Sequence, residues 1–219
     1  MMRAGKFLLS IAGAMMALAV ARADIIETFS HTTPTSAVPF TDVFLLPGFD
    51  TSLGVLDTIT LTLETSGTAE VDVLNLTGSP QAFTGAKAVI PVTLTGPGGV
   101  STAASLSAGP ESGVAAPGSN AFPGLPASAS NSVGVLPADF SLYEGSGPIV
   151  SVTIDAGSGT YSGSAVPGVF FGGSTTADAI TTIDYAYSPS TTIPEPATMS
   201  LFVGTLLGIS FVLKKYPQR

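Results

Sequence analysis

The sequence predicts an all-β fold, an antiparallel β-sandwich, flanked by an N-terminal signal helix and a C-terminal transmembrane helix. Three observations carry the sheet expectation. Apolar and polar residues alternate along several separate stretches, which sorts side chains onto the two faces of a strand. The chain of 219 residues holds 25 glycines and 17 prolines, many of them grouped between those stretches, where a chain reverses. Helical periodicity is absent between residues 24 and 193.

The elements follow in order. Asp57 to Glu64 reads D-T-I-T-L-T-L-E, with Ile59, Leu61 and Leu63 on one face and Thr58, Thr60 and Thr62 on the other. Threonine suits the outer face, being β-branched with a hydroxyl for water. Glu70 to Val73 points Val71 and Val73 inward and Glu70 and Asp72 outward. Ile90, Val92 and Leu94 form a third set, and Pro91 within it implies an edge strand or a bulge, because proline donates no ladder hydrogen bond. Val150, Val152 and Ile154 form a fourth, and Ile183, Tyr185 and Tyr187 a fifth. Turn chemistry falls at Ser66-Gly67, Thr77-Gly78-Ser79-Pro80, Gly96-Pro97-Gly98-Gly99 and Gly157-Ser158-Gly159. Many short strands with Gly-rich turns indicate one sandwich over residues 24–187. Residues 96–136 are dominated by Gly, Ala, Ser and Pro and read as a long low-complexity loop. Residues 188–193 read as a spacer.

Composition excludes several chemistries. The chain has no cysteine and one histidine, so thiol nucleophiles, disulfide scaffolds and zinc–thiolate sites are absent, and a Ser–His–Asp triad or multi-His metal centre is disfavoured. Seven basic residues stand against fifteen acidic ones, the wrong balance for nucleic acid. Charge is also segregated. Residues 24–193 hold fourteen carboxylates against one lysine, Lys87, and the other basic residues lie at the two ends.

Those ends read as addresses. Arg3 and Lys6 precede an apolar run from Phe7 to Val20, then Ala21-Arg22-Ala23. A short basic stretch, about 14 apolar residues and a small-x-small site make a secretory signal peptide over residues 1–23, cut by signal peptidase between Ala23 and Asp24. At the other end Ile193-Pro194-Glu195-Pro196 is followed by an apolar run over residues 199–213 and a cap of Lys214, Lys215 and Arg219. The two prolines hold their segment extended. The run is short against the roughly 20 residues of an ordinary span, and its basic cap belongs on the cytoplasmic side.

Residues 194–219, in this order of Pro-Glu-Pro, short span and basic end, resemble the PEP-CTERM sorting signal. In that family Pro194, Glu195 and Pro196 correspond to the motif recognised by an exosortase, a membrane transpeptidase with a catalytic cysteine. The resemblance implies that the tail is removed and the body delivered outside a Gram-negative cell, the inner membrane being a transient station. An ordinary C-terminal anchor is the competing reading, and a mature protein that keeps Lys214 and Lys215 would favour it.

A second resemblance covers most of the body. Leu46-Pro47-Gly48-Phe49-Asp50-Thr51-Ser52-Leu53-Gly54-Val55-Leu56, running into the Thr-alternating strand, is similar to the opening of the choice-of-anchor E domain. Tyr143-Glu144-Gly145-Ser146-Gly147 and the strand ending at Tyr187 resemble its closing part. That family has no assigned catalytic residues, so the resemblance implies none here.

The remaining candidates read as structural. His31 reads as an exposed, inert imidazole. Asp42, Asp50, Asp57, Glu64, Glu70, Asp72, Asp155, Asp178 and Asp184 are dispersed, without an Asp-x-Asp-x-Asp-Gly calcium loop. Tyr185 and Tyr187 suit half-buried sheet positions better than a sugar platform. Asn75-Leu76-Thr77 is a sequon that reads as coincidence. Lys87 invites a test for a lysine–asparagine isopeptide bond, which would lower the mass by one ammonia. No cofactor is expected. The sequence therefore predicts a non-enzymatic exported protein of the cell surface or exopolysaccharide matrix. A carbohydrate- or calcium-binding adhesin is the alternative, and a secreted hydrolase a distant third.

Overall fold

The computed structural model describes residues 24–190. Nine strands form two packed sheets. β1 is Ile25–Ala37, β2 Phe40–Pro47, β3 Gly54–Asn75, β4 Gln81–Thr95, β5 Ser101–Ala115, β6 Gly118–Gly134, β7 Pro148–Ala156, β8 Thr160–Ala165 and β9 Val169–Pro189. Two short 3₁₀ turns, Pro97–Gly99 and Pro137–Leu142, complete the chain. The first sheet has the order β1-β9-β3-β6, and the second β2-β7-β4-β5 with β8 also on β4. All named strand pairs are antiparallel.

The alternating residues meet between the sheets. Ile59, Leu61, Leu63, Val71, Val73, Ile183 and Tyr185 come from the first sheet, and Ile90, Val92, Leu94, Val150, Val152 and Ile154 from the second; all are buried. Phe49 and Tyr143 plug one end. Removing apolar surface of this extent from water drives the two sheets together. All five sequence-predicted inward faces lie in this core.

The structure corrects five expectations. Residues 96–136 are not a loop, since they supply β5 and β6. Thr102, Ala104, Leu106 and Ala108 still alternate inward and are buried, but side chains this small give little hydrophobic contrast in a sequence. Alanines suffice there because β5 and β6 lie beside each other, where Asn131 donates Nδ2–H to the Ala103 carbonyl at 2.9 Å. Ser66-Gly67 is not a turn, because β3 runs unbroken through it. Gly67 is needed instead for close approach, since a Cβ there would overlap the Thr176 carbonyl of β9.

Gly157-Ser158-Gly159 likewise does not reverse the chain. β7 and β8 pair with consecutive parts of β4, Val92–Thr95 and then Val89 back to Phe83. The glycine segment is an offset in one advancing path. Pro91 sits opposite that offset, so it occupies an interior strand rather than an edge. Its carbonyl accepts from Gly157 N–H at 2.9 Å, and its missing N–H falls where the ladder is already interrupted. Finally, the body extends past 187. Ser188 and Pro189 pair with Val55 and Gly54, and Ser190 N–H reaches Leu53 O, so the sheet takes up the start of the expected spacer.

The expected signal peptide over 1–23 and the expected span over 199–213 lie outside the described residues. Among the described residues no helix is long and apolar enough to cross a membrane. Ile25 pairs with Tyr187, so the chain enters at Asp24 and leaves at Ser190 from the same end of the sandwich.

Candidate functional site

The outer face of the first sheet carries a continuous set of surface polar groups. It follows from the pleat, since each inward apolar residue leaves an outward neighbour. On β3 those neighbours are Thr58, Thr60, Thr62, Glu64, Ser66 and Thr68, and register sets them beside Ala186, Asp184, Thr182, Ile180, Asp178 and Thr176 of β9. β6 adds Ser132, Ser130 and Ser128.

Asp178 is the hub of this face. Its Oδ1 accepts from Ser66 Oγ at 2.6 Å and from Ser66 N–H at 3.3 Å, and its Oδ2 accepts from Thr35 Oγ1 at 3.1 Å. One row along, the Thr68 and Thr176 hydroxyls lie 3.1 Å apart. Small side chains between β3, β6 and β9 leave a shallow groove of about 540 Å³ over Ser66, Thr68, Ser128 and Thr176. A second groove of about 430 Å³ continues along Glu64 and Ser130, and the two share Ser66, Ser128 and Asp178. The lining offers hydroxyls and carboxylates, with no Lys, Arg or His and no aromatic ring. Such groups exchange hydrogen bonds with polyhydroxylated ligands. Asp178 was legible in the sequence only as one of many dispersed acids; its partners lie 112 and 143 residues away.

His31 is not the inert imidazole the sequence implied. It stacks on Phe44 with ring centroids 3.8 Å apart and planes at 19°. Its Nε2 lies 3.5 Å from Asp42 Oδ2, which also accepts from Thr33 Oγ1 at 2.8 Å. This cluster ties β1 to β2 across the open side of the sandwich. It sits beneath an edge strand rather than in a cleft.

The tyrosines are structural. Tyr185 is fully buried and donates to Pro47 O at 2.9 Å; Tyr143 is fully buried and donates to Pro97 O at 3.0 Å. Burial pushes the Tyr143 hydroxyl up to about 12, with Asp139 adding to the effect. Burial also raises Tyr185, helped by the nearby Tyr143 and Glu27. Tyr187 is buried against Phe49, so neither Tyr185 nor Tyr187 offers a face to a sugar. Asn75 is buried and gives both Nδ2 hydrogens away, to Ser79 O and Ala115 O at 2.9 Å each. Its amide is closed to a glycan in the folded chain. Lys87 is exposed on β4, and among the described residues His31–Asp42 is the one base–carboxylate contact within 4 Å. No group of three or more His, Asp or Glu among the described residues is placed to hold a metal ion.

The two segments that carry the second resemblance come together. Phe49 N–H donates to Tyr143 O at 2.8 Å, Gly145 N–H to Phe49 O at 2.9 Å, and Gly48 N–H to Gly147 O at 2.9 Å. Asp50 caps the following turn. Ser52 N–H donates to its Oδ1 at 2.9 Å, and that bond, helped by the Ser52 hydroxyl, holds the carboxyl below its usual range. Of the sequence-predicted processing residues, Asp24 is the first described residue. Ala21, Ala23, Pro194, Glu195, Pro196, Lys214, Lys215 and Arg219 lie outside the described residues.

No protein-family model matches the chain, and no curated protein does. Among solved structures, the infectious bursal disease virus Gx strain is 13% identical over 77% of this chain and 38% of that one, with a TM-score of 0.21. The Gt strain of the same virus is 12% identical over 84% of this chain and 47% of that one, with a TM-score of 0.17. The chain spans less than half the length of either, and superpositions this loose establish no kinship.

Proposed function

We propose that this is an exported, non-enzymatic protein of the cell surface or extracellular polysaccharide matrix. In this reading an exosortase sorts it through Pro194-Glu195-Pro196. The single observation that carries the reading is the order of features at the two ends of the sequence. A basic-apolar-small leader opens the chain, and Pro-Glu-Pro, a short apolar run and a basic cap close it. The body fits the role on physical grounds. Its fourteen carboxylates and single lysine between residues 24 and 193 keep it soluble and repelled from anionic lipid once the tail is gone. Its long strands give a rigid unit with both chain ends leaving from one side, so the tail can be held or cut without disturbing the core. The choice-of-anchor E resemblance of the body points the same way.

Fractionation of the native cells with mass spectrometry of both mature termini tests the reading. A protein beginning at Asp24, lacking Lys214 and Lys215 and recovered outside the inner membrane is the expected result. A mature chain that keeps the basic cap overturns it in favour of an ordinary anchor.

One observation favours a second reading, a carbohydrate-binding module. The hydroxyl-lined grooves around Asp178 offer hydrogen-bonding groups to a neutral glycan and repel an anionic one. Glycan-array binding that is lost in Asp178→Ala, with the fold intact, would favour it over a purely structural role.

A further inference from the structure

We propose that the chain self-associates through the free edge of β2, two copies pairing antiparallel about a two-fold axis into one continuous sheet. The proposal does not depend on how the chain is sorted. It starts from a mismatch between the sequence of β2 and its position. Phe40-Thr41-Asp42-Val43-Phe44-Leu45-Leu46 sets apolar Val43 and Leu45 outward as well as Phe40, Phe44 and Leu46 inward, with Thr41 and Asp42 confined to one end. Yet β2 ends its sheet, with β7 on one side only. Phe44 and Leu46 turn inward, while Val43 and Leu45 are 63% and 53% exposed.

Sheet edges invite pairing, and proteins blunt them with proline, glycine, bulges or charge. The other edges here are blunted. β1 carries Pro34 and a register shift between Thr33 and Ser36. β5 carries Gly109 at φ +100 and Pro110, with shifts around Ala86. β6 carries Pro123, Gly124 at φ +72 and Pro126. β8 is six residues long and polar. β2 keeps unbroken register from Phe40 to Leu46, its own shift and Pro47 falling at the very end of the strand.

Charge selects a second copy as the occupant. Copies of an acidic body meet only across a neutral seam. Around this edge the outward residues are Thr41, Val43 and Leu45, with Thr153 and Ser151 beside them on β7. Asp42 is held inward by His31 and Thr33. Asp155 lies beside Thr41, at one end of the strand. Antiparallel pairing centred on Phe44 sends the two Asp155 carboxylates to opposite ends of the joint, beyond a Debye length of about 8 Å. The same register sets Val43 of one copy across from Leu45 of the other, an apolar cross-strand pair. One strand pair buries less than the roughly 1,200 Å² of stable complexes, so the association is weak and grows with local concentration, as at a membrane or in a matrix.

The absence of cysteine makes the test specific. Full chains carrying Val43→Cys and Leu45→Cys, mixed in mild detergent and oxidised, should form a disulfide dimer, since facing residues lie within disulfide reach. A chain carrying Val114→Cys, equally exposed on β5, should not. Sedimentation of the unsubstituted chain should show a concentration-dependent dimer, and the double variant Val43→Lys, Leu45→Lys should remain monomeric with an unchanged circular dichroism spectrum. A wild-type monomer at every concentration, a dimer that survives the lysines, or equal cross-linking through Val114→Cys overturns the proposal.

Discussion

Asn75 is the place where one substitution tests the fold most sharply. It closes β3, buried at 1% exposure, and every polar atom of its side chain is used. Nδ2 donates to Ser79 O and Ala115 O, and Oδ1 accepts from Thr77 N–H and Thr77 Oγ1 at 2.9 and 2.7 Å. It thereby joins the β3–β4 turn to the end of β5. Asn75→Ala removes all four bonds. The single Thr77 hydroxyl proton, no longer given to Asn75 Oδ1, turns to Ser79 O 2.8 Å away, so the loss concentrates on Ala115 O and Thr77 N–H. Two orphaned backbone groups at about 1–1.5 kcal/mol each give roughly 2–3 kcal/mol. In a domain of this size that lowers Tm by about 4–12 °C. Asn75→Asp, nearly the same shape, should cost at least as much, because a carboxylate would face two carbonyls it cannot donate to. Urea denaturation and thermal melts of both variants measure this. A shift below about 1 kcal/mol for both would refute the claim that Asn75 is a buried tie, and would reopen Asn75-Leu76-Thr77 as an accessible sequon.

Three further outcomes follow from the geometry. Tyr143 has its hydroxyl raised to about 12 by burial, so its contribution is whole below about pH 10 and fades as pH climbs to 12. Roughly 2–3 kcal/mol should disappear over that window, read by denaturant titration at successive pH values, with Tyr185 acting in the same direction. Leu61→Ala, fully buried between the sheets, should lose about 2–5 kcal/mol, whereas Val43→Ala on the exposed edge should lose little; equal losses would contradict the assigned core. Gly173 has φ +145, and a Cβ there would overlap the Glu70 carbonyl, while a Cβ on Gly172 meets nothing within 4 Å. Gly173→Ala should therefore destabilise by about 1–3 kcal/mol more than Gly172→Ala, as thermal melts would register.

The sequence by itself determined which side chains face inward along β3, β4, β7 and β9. The faces of Leu61 and Leu63, of Val150 and Val152, and of Ile183 and Tyr185 were legible because the pleat alternates residue by residue and needs no knowledge of neighbours. The all-β class and the acidic, lysine-poor body were legible for the same local reason. Only the tertiary structure decided where strands end and what pairs across them. Ser66-Gly67 and Gly157-Ser158-Gly159 carry turn chemistry, yet the chain continues through both, because long neighbouring strands hold the flanking backbone extended. Pro91 is tolerated inside a sheet because β7 gives way to β8 opposite it. The alanines of β5 count as core only once β6 lies beside them. Asp178 gathers Thr35 and Ser66, and His31 finds Asp42 and Phe44, through contacts between strands. Periodicity is a property of one strand and can be read along it. Register, edges and grooves belong to pairs of strands far apart in the chain, and folding alone sets them.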